Sequence, residues 1–429
     1  SGTQLQAFTD VQIAKFGKTQ LAGLSSAQIG ALSTAQIAKL SAAQIKMIDA
    51  TDIPGLTTAQ MAVLAPFQVA ALTASQVTNL TTQQIPAIDA NDVSSMNPQV
   101  QIGALNSAQV GALTGTQLKA LSPAQIRAIT PAAIAGLATV RLDELSNAQM
   151  AAFSAAQITA MTSSQIGALS SAQVGALSSA QLAAIDLTEI PALSTSAITG
   201  LTARQLGKLP DFVSSLTAPQ FAALRSGELA KLPPAIVAVF SPAQVGGMTE
   251  AQINRLTPAQ WNRVAPDALD NLTDTQMGSL TAAQLSGLSG SQIQQLSTDL
   301  LAKLSRAQLS GFTPAQFAKL TDAQFEALSS EQIAGLKPAV IAVLNEDQIA
   351  ALGADDLSAL NSKQSAALTS KQLAVITPEV IADWEATALA MLSSKQLLVF
   401  DSEQMGAMTT EQLSTCLLYT SPSPRDVEE

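Results

Sequence analysis

The chain has 429 residues, of which 47% are hydrophobic but only 12% charged and 3% aromatic, and its formal net charge is −11. Its apolar content excludes a simple disordered linker, and the negative charge without any Lys/Arg block excludes nucleic acid and anionic membrane as main partners. A Ser, Thr or Gln interrupts the apolar residues every few positions, so no run of about 18 apolar residues exists and no membrane span is expected.

The chain opens with SGTQLQAF, without an initiator Met or a signal peptide, and is expected to be the interior of something longer. From Phe8 to Thr415 it divides into 51 units with the consensus L-S/T-x-A-Q-I-x-A, whose positions are numbered 1 to 8 here. All are octads except MNPQVQIGA (96–104), which has one residue more, and LPDFVSS (209–215), which has one fewer. No linker, composition shift or charge run marks a boundary, so residues 1–415 are expected to form one continuous solenoid.

Position 2 is Ser or Thr in 33 units and Asp, Asn or Gly in ten more, the residues preferred at a helix N-cap. Position 5 is Gln in 36 units and Asp or Glu in five. This is the capping-box spacing, in which the Gln reaches back to the cap N–H, and the large apolar residues at positions 1 and 6 are the two halves of a hydrophobic staple. The Gln thus predicts a helix start in every octad. Of 17 prolines before residue 416, 11 occupy position 3, the first helical position, which favours Pro. Pro54, Pro86 and Pro191 instead sit at position 7, where they predict a helix of about one turn followed by a bend.

So short a helix is unstable alone. Stacking between units is required, with a perturbation spreading to adjacent octads first. The expected fold is therefore all-α, a solenoid of very short capped helices, one per octad. The alternative is a β-solenoid, because positions 4, 6 and 8 alternate as A-I-A. Against it stand the helix-forming Ala, Leu and Gln and the position-3 prolines.

Catalysis has few raw materials. There is no His, and the single Cys, Cys416, lies in the atypical C-terminal stretch, so the imidazole base, the thiol nucleophile and the usual zinc ligands are missing. The acidic units IDATDIPG (Asp49, Asp52), IDANDVSS (Asp89, Asp92) and IDLTEIPA (Asp186, Glu189) suggest calcium, but two carboxylates fall short of the six to eight oxygens that Ca²⁺ takes. An Asp N-cap with an acidic third residue, both favoured by the helix dipole, is the better reading. Trp261 and Trp384 occupy core positions 6 and 1, which favours packing over a ligand platform. No catalytic, cofactor-binding or metal-binding residue is expected, and no cofactor.

LSPAQIRAI (121–129) and LTPAQWNRV (256–264) resemble the opening helix of transcription-activator-like DNA-binding repeats, whose units are four times longer and whose surface is basic. Neither property is met, and the match is rejected. The tract from 8 to 415 resembles the Ala/Gln/Thr-rich short repeats of very large secreted bacterial proteins of the adhesin and haemolysin-like type. That resemblance implies an extracellular or cell-surface protein in which the tract is a non-enzymatic spacer, with unknown protein or surface partners reached through flanking modules. The alternative is an interaction solenoid that binds proteins or peptides. It is disfavoured because positions 3 and 7 carry no clustered aromatic or Arg anchors. Finally, CLLYTSPSPRD (416–426) resembles a translated sequencing adapter, which implies that 416–429 is a non-native, disordered tail.

Overall fold

A computed structural model describes residues 2–420, with side chains to 416. Every regular element among the described residues is a helix: 48 α-helices and four 3₁₀-helices, with no strand. The fold is all-α, and the β-solenoid alternative is not supported. Most helices have four to six residues and begin one residue after position 2 of an octad, as in Ser163–Gly167 and Pro242–Gly246. The cap residue is extended (Thr162, φ −78°, ψ 158°) and the residue closing the helix is helical (Ala168, φ −83°, ψ −7°). One octad is therefore one helical turn and one extended corner.

The prolines obey this geometry. Helices start on Pro66, Pro123, Pro131, Pro242, Pro258 and Pro314, among others. The position-7 prolines fall in the 3₁₀-helices Ala50–Gly55, Ile85–Ala87 and Ile190–Ala192. Pro lacks the N–H that would continue an α-helix, so the turn tightens. The fourth 3₁₀-helix, Ile102–Ala104, lies in the nine-residue unit.

Contacts divide the chain into two compact units, Ser1–Leu216 and Thr217–Glu429, and the division falls directly after the seven-residue unit. In the first, helix Ser163–Gly167 packs on Thr139–Leu142 and on Ile190–Ala192. In the second, Pro266–Leu269 packs on Pro242–Gly246 and on Gly290–Gln295. Through most of the chain helices thus stack on those three octads away, an exception being Ala203–Leu206, which packs on Pro210–Ser214 at the register break. The neighbours in space are not the adjacent octads of the sequence, and a perturbation is expected to travel along these stacks rather than to the next octad. Positions 1 and 6 point inward in most octads, as Ile166 (0% exposed) and Leu169 (2%) illustrate, with exposed exceptions near the two ends at Phe8 and Met405.

Small residues at positions 7 and 8 let successive coils touch backbone to backbone. A Cβ on Gly200 would overlap the carbonyl of Ser171, and one on Gly175 would lie 3.0 Å from the Gly200 oxygen. No described residue has positive φ, so these glycines serve close approach rather than an unusual backbone turn.

Of the tail expected to be disordered from Cys416, residues 416–420 continue the last helix, Thr410–Thr420, and Cys416 is buried. The remainder, 421–429, lies outside the described residues.

Truncating the fully buried Ile166 to Ala is expected to cost about 2–5 kcal/mol through lost burial and a residual cavity. Hydrogen exchange should show protection lost first in 139–142 and 190–192. Loss confined to 153–160 and 169–176, the adjacent octads, would contradict the stacking described here.

Candidate functional site

The most regular chemical feature of the chain is the side chain at position 5. Gln157 shows its pattern. The Ser154 N–H donates to Gln157 Oε1 at 2.7 Å, and the Gln157 N–H donates to Ser154 Oγ at 3.2 Å. This is the capping box anticipated from the spacing. The other end of the amide does something the spacing does not announce. Gln157 Nε2 donates to the carbonyls of Ile126 (2.8 Å) and Ile129 (2.7 Å), 31 and 28 residues earlier. Those carbonyls belong to the C-terminal end of a helix one coil away, where the Ile126 oxygen accepts one bond from the Ile129 N–H and the amide supplies a second. Gln157 therefore caps two helices at once, the start of its own and the end of another.

The same bonds recur in both units. Gln76 reaches Ile45 and Ile48, each at 2.8 Å, and Gln292 reaches Trp261 (2.8 Å) and Val264 (2.7 Å). Across the nine-residue unit the offsets become 32 and 29, as in Gln117 to Ile85 and Ile88, and they return to 31 and 28 at Gln149. Octad position, not residue count, selects the acceptor. The amide is buried wherever this ladder is complete: Gln157 is 1% exposed and Gln292 1%. Gln12 and Gln20, in the first coil, are exposed.

A sequence signal for the second bond was present. A capping box accepts Glu as well as Gln, yet 36 units use Gln against five acidic residues. Only the amide can accept at one end and donate at the other. Where position 5 is not Gln, several octads place a buried apolar residue there and start the helix on Pro, as with Ala133 after Pro131 and Val340 after Pro338.

The acidic units depart from the box. The Asp49 carboxylate accepts from the Thr51 hydroxyl (2.7 Å) and from the Thr51 N–H (2.9 Å), two residues on rather than three. Those bonds, the hydroxyl's first, hold Asp49 below the usual carboxylate range. Asp186 does the same with Thr188. The Asp89 carboxylate accepts from the Asn91 N–H at 2.8 Å. Asp at position 2 is thus a cap, as anticipated, but the reciprocal bond from Asp52, Asp92 or Glu189 does not form. Length alone does not decide this, since Asp356 accepts from the Gly353 N–H at 3.0 Å, and Glu189 instead accepts from the Ser163 hydroxyl at 3.1 Å. Asp92 is buried in the Gln seat, and burial first, then the Asp89 charge, raises its pKa. Among the described residues no group of three or more His, Cys, Asp or Glu is placed to hold a metal ion.

Trp261 and Trp384 lie fully inside the core, each with an indole N–H that has no acceptor. The buried Ser365 hydroxyl, at position 6 where the other octads carry a large apolar residue, is likewise unpartnered. No helix of the described residues is long and apolar enough to cross a membrane.

Two substitutions separate the ends of the amide. Gln157→Glu keeps the acceptor for Ser154 but removes the donor and turns a carboxylate oxygen toward two carbonyls. It should cost on the order of 3 kcal/mol at neutral pH, more than the roughly 1 kcal/mol for Ser154→Ala. A carboxyl so placed titrates above the ordinary Glu value, so the cost is full above its folded pKa and disappears as the pH falls below about 4.3. Asp92→Gln tests the native exception. It should raise the melting temperature at pH 7, because a penalised charge is removed and the Met61 and Leu64 carbonyls gain a donor by register. Asp92 has a raised folded pKa, so its penalty is present above that pKa and fades as the pH falls through it. The charge-related part of the gain should accordingly vanish below about pH 3.9.

No curated protein matches the chain. Residues 16–42 and 301–338 match the family model described as the ALTTAQ repeat, whose six letters correspond to position 8 through position 5 of the octad. A repeat family is thereby recognised in each of the two compact units, over the stretch of sequence that builds the capping box.

Proposed function

We propose that the chain is a non-enzymatic structural repeat segment, a spacer within a large bacterial surface or secreted protein that presents modules flanking it. The observation that carries this reading is the uniform ladder. The same amide bonds join coil to coil in both units, and octads with quite different surface residues keep them. A ladder of this kind serves the continuity of the stack rather than one patch. The match to a repeat family is consistent with a structural role. The surface context rests on the resemblance to adhesin and haemolysin-like repeats, together with the low charge and the lack of cysteine before residue 416. Residues 416–426 are read as translated adapter sequence with no part in this role.

Insertion tests the spacer role directly. Duplicating the four octads 145–176 should raise the maximum dimension measured by small-angle X-ray scattering, and a second duplication should add an equal step. The melting temperature should not fall, because stability in a stack is a sum over neighbouring repeats. No increase in dimension, or collapse of the helical signal, would sink the reading.

A further inference from the structure

Two clefts meet at Lys208 in the first compact unit, on either side of the corner where the octad register breaks. One, about 450 Å³, has a mixed lining in which Ile185, Leu187, Leu209 and Phe212 stand beside Asp186, Lys208 and Asp211. The other, about 620 Å³, is lined by Ser178, Ser179, Thr202, Arg204 and Lys208 among others, without any carboxylate. Both volumes fall in the range of small-molecule sites. Leu187 is a large apolar side chain left 48% exposed at the mouth of the first cleft. Arg204 and Lys208 are exposed, one helical turn apart, and neither takes part in the three ion pairs of the described residues. In a chain with 21 cationic and 32 acidic side chains, the second cleft gathers two cations and no carboxylate, while Asp186 and Asp211 lie in the first.

We propose that this place binds an anionic amphiphile, its carboxylate or sulfate head on Arg204 and Lys208 and its alkyl part over Leu187 toward Phe212. The hydroxyls are already committed: Ser178 Oγ donates to Gln181 Oε1 (2.9 Å), Ser179 Oγ to the Gln205 carbonyl (3.1 Å) and Thr202 Oγ1 to Gln205 Oε1 (2.8 Å). The two cations are therefore the donors left for a ligand, and an Arg fork suits a planar carboxylate. Orientation follows from charge. Asp186 and Asp211 border the first cleft and repel an anionic head there, while Lys208 stands between the two clefts. A neutral alkyl chain fits one side and the anion the other.

The test is calorimetric titration of the full chain with decanoate below its micellar range, with acetate and decyltrimethylammonium as probes of each half. Decanoate should bind saturably, one per chain. Arg204→Gln combined with Lys208→Gln should weaken it about tenfold or more, and Leu187→Ser about threefold or more. All three residues are exposed, so the far-UV circular dichroism should not change. The proposal is overturned by an absence of saturable binding, or by equal affinity in the double variant. It is overturned equally if acetate binds as tightly as decanoate, or if decyltrimethylammonium does.

Discussion

The structure depends on one side-chain amide that is asked to work at both ends. A four-residue helix leaves most of its N–H groups at the start and its carbonyls at the end without partners. In a chain built of such helices these unsatisfied groups are the rule rather than the exception, and burying them unpaired would be prohibitive. The position-5 Gln removes the difficulty by matching the ends of two different helices. Its oxygen serves the beginning of one, and its NH₂ serves the end of another, 28 and 31 residues earlier. Everything else in the octad follows from holding that amide in place.

Position 2 is usually a small oxygen-bearing residue that gives the Gln N–H an acceptor in the extended corner, as Ser154 does, although Gln68 keeps its other bonds with Ala65 there. Positions 1 and 6 are large and apolar in nearly every octad, where they wall the amide from water and shelter its bonds from competition, with Ser365 as the polar exception. Positions 7 and 8 are small where neighbouring coils meet backbone to backbone, and Gly175 against Gly200 shows how close they come. Charge is scarce for the same reason. A carboxylate in the amide's seat cannot donate to a carbonyl, and the buried Asp92, with its raised pKa, shows the strain that results.

About half of this was legible in the sequence. The capping box, the staple and Pro at the first helical position are relations within three or four residues, and each was found where the spacing put it. The short turns at Pro54, Pro86 and Pro191 were legible too, since a missing N–H acts locally. What could not be read was the partner one coil away. Nothing in LSSAQIGA says whether its neighbour in space is the next octad or the third, because that depends on the angle between successive helices, a sum of many small torsions. Adjacent octads were the natural expectation, and helix-to-helix stacking three octads apart replaces it. The acidic units were half legible: Asp49, Asp89 and Asp186 do cap, but through the second N–H rather than the third. The clefts beside Lys208 had no local signature beyond the missing residue in 209–215.

The same logic explains how the chain tolerates its irregularities. In the nine-residue unit, Gln101 still reaches Val69 and Leu72 at 2.7 and 2.9 Å, with the extra residue taken up in the turn before it. A β-ladder would not permit this, because a one-residue slip moves every side chain to the opposite face. Here each octad is a closed turn with its own cap, so an added residue stays in the corner and the inward positions are unchanged. The long amide arm, with its freely chosen rotamers, absorbs what displacement remains. Tolerance of insertion and demand for Gln are two consequences of one design, in which continuity is carried by a side chain rather than by the backbone.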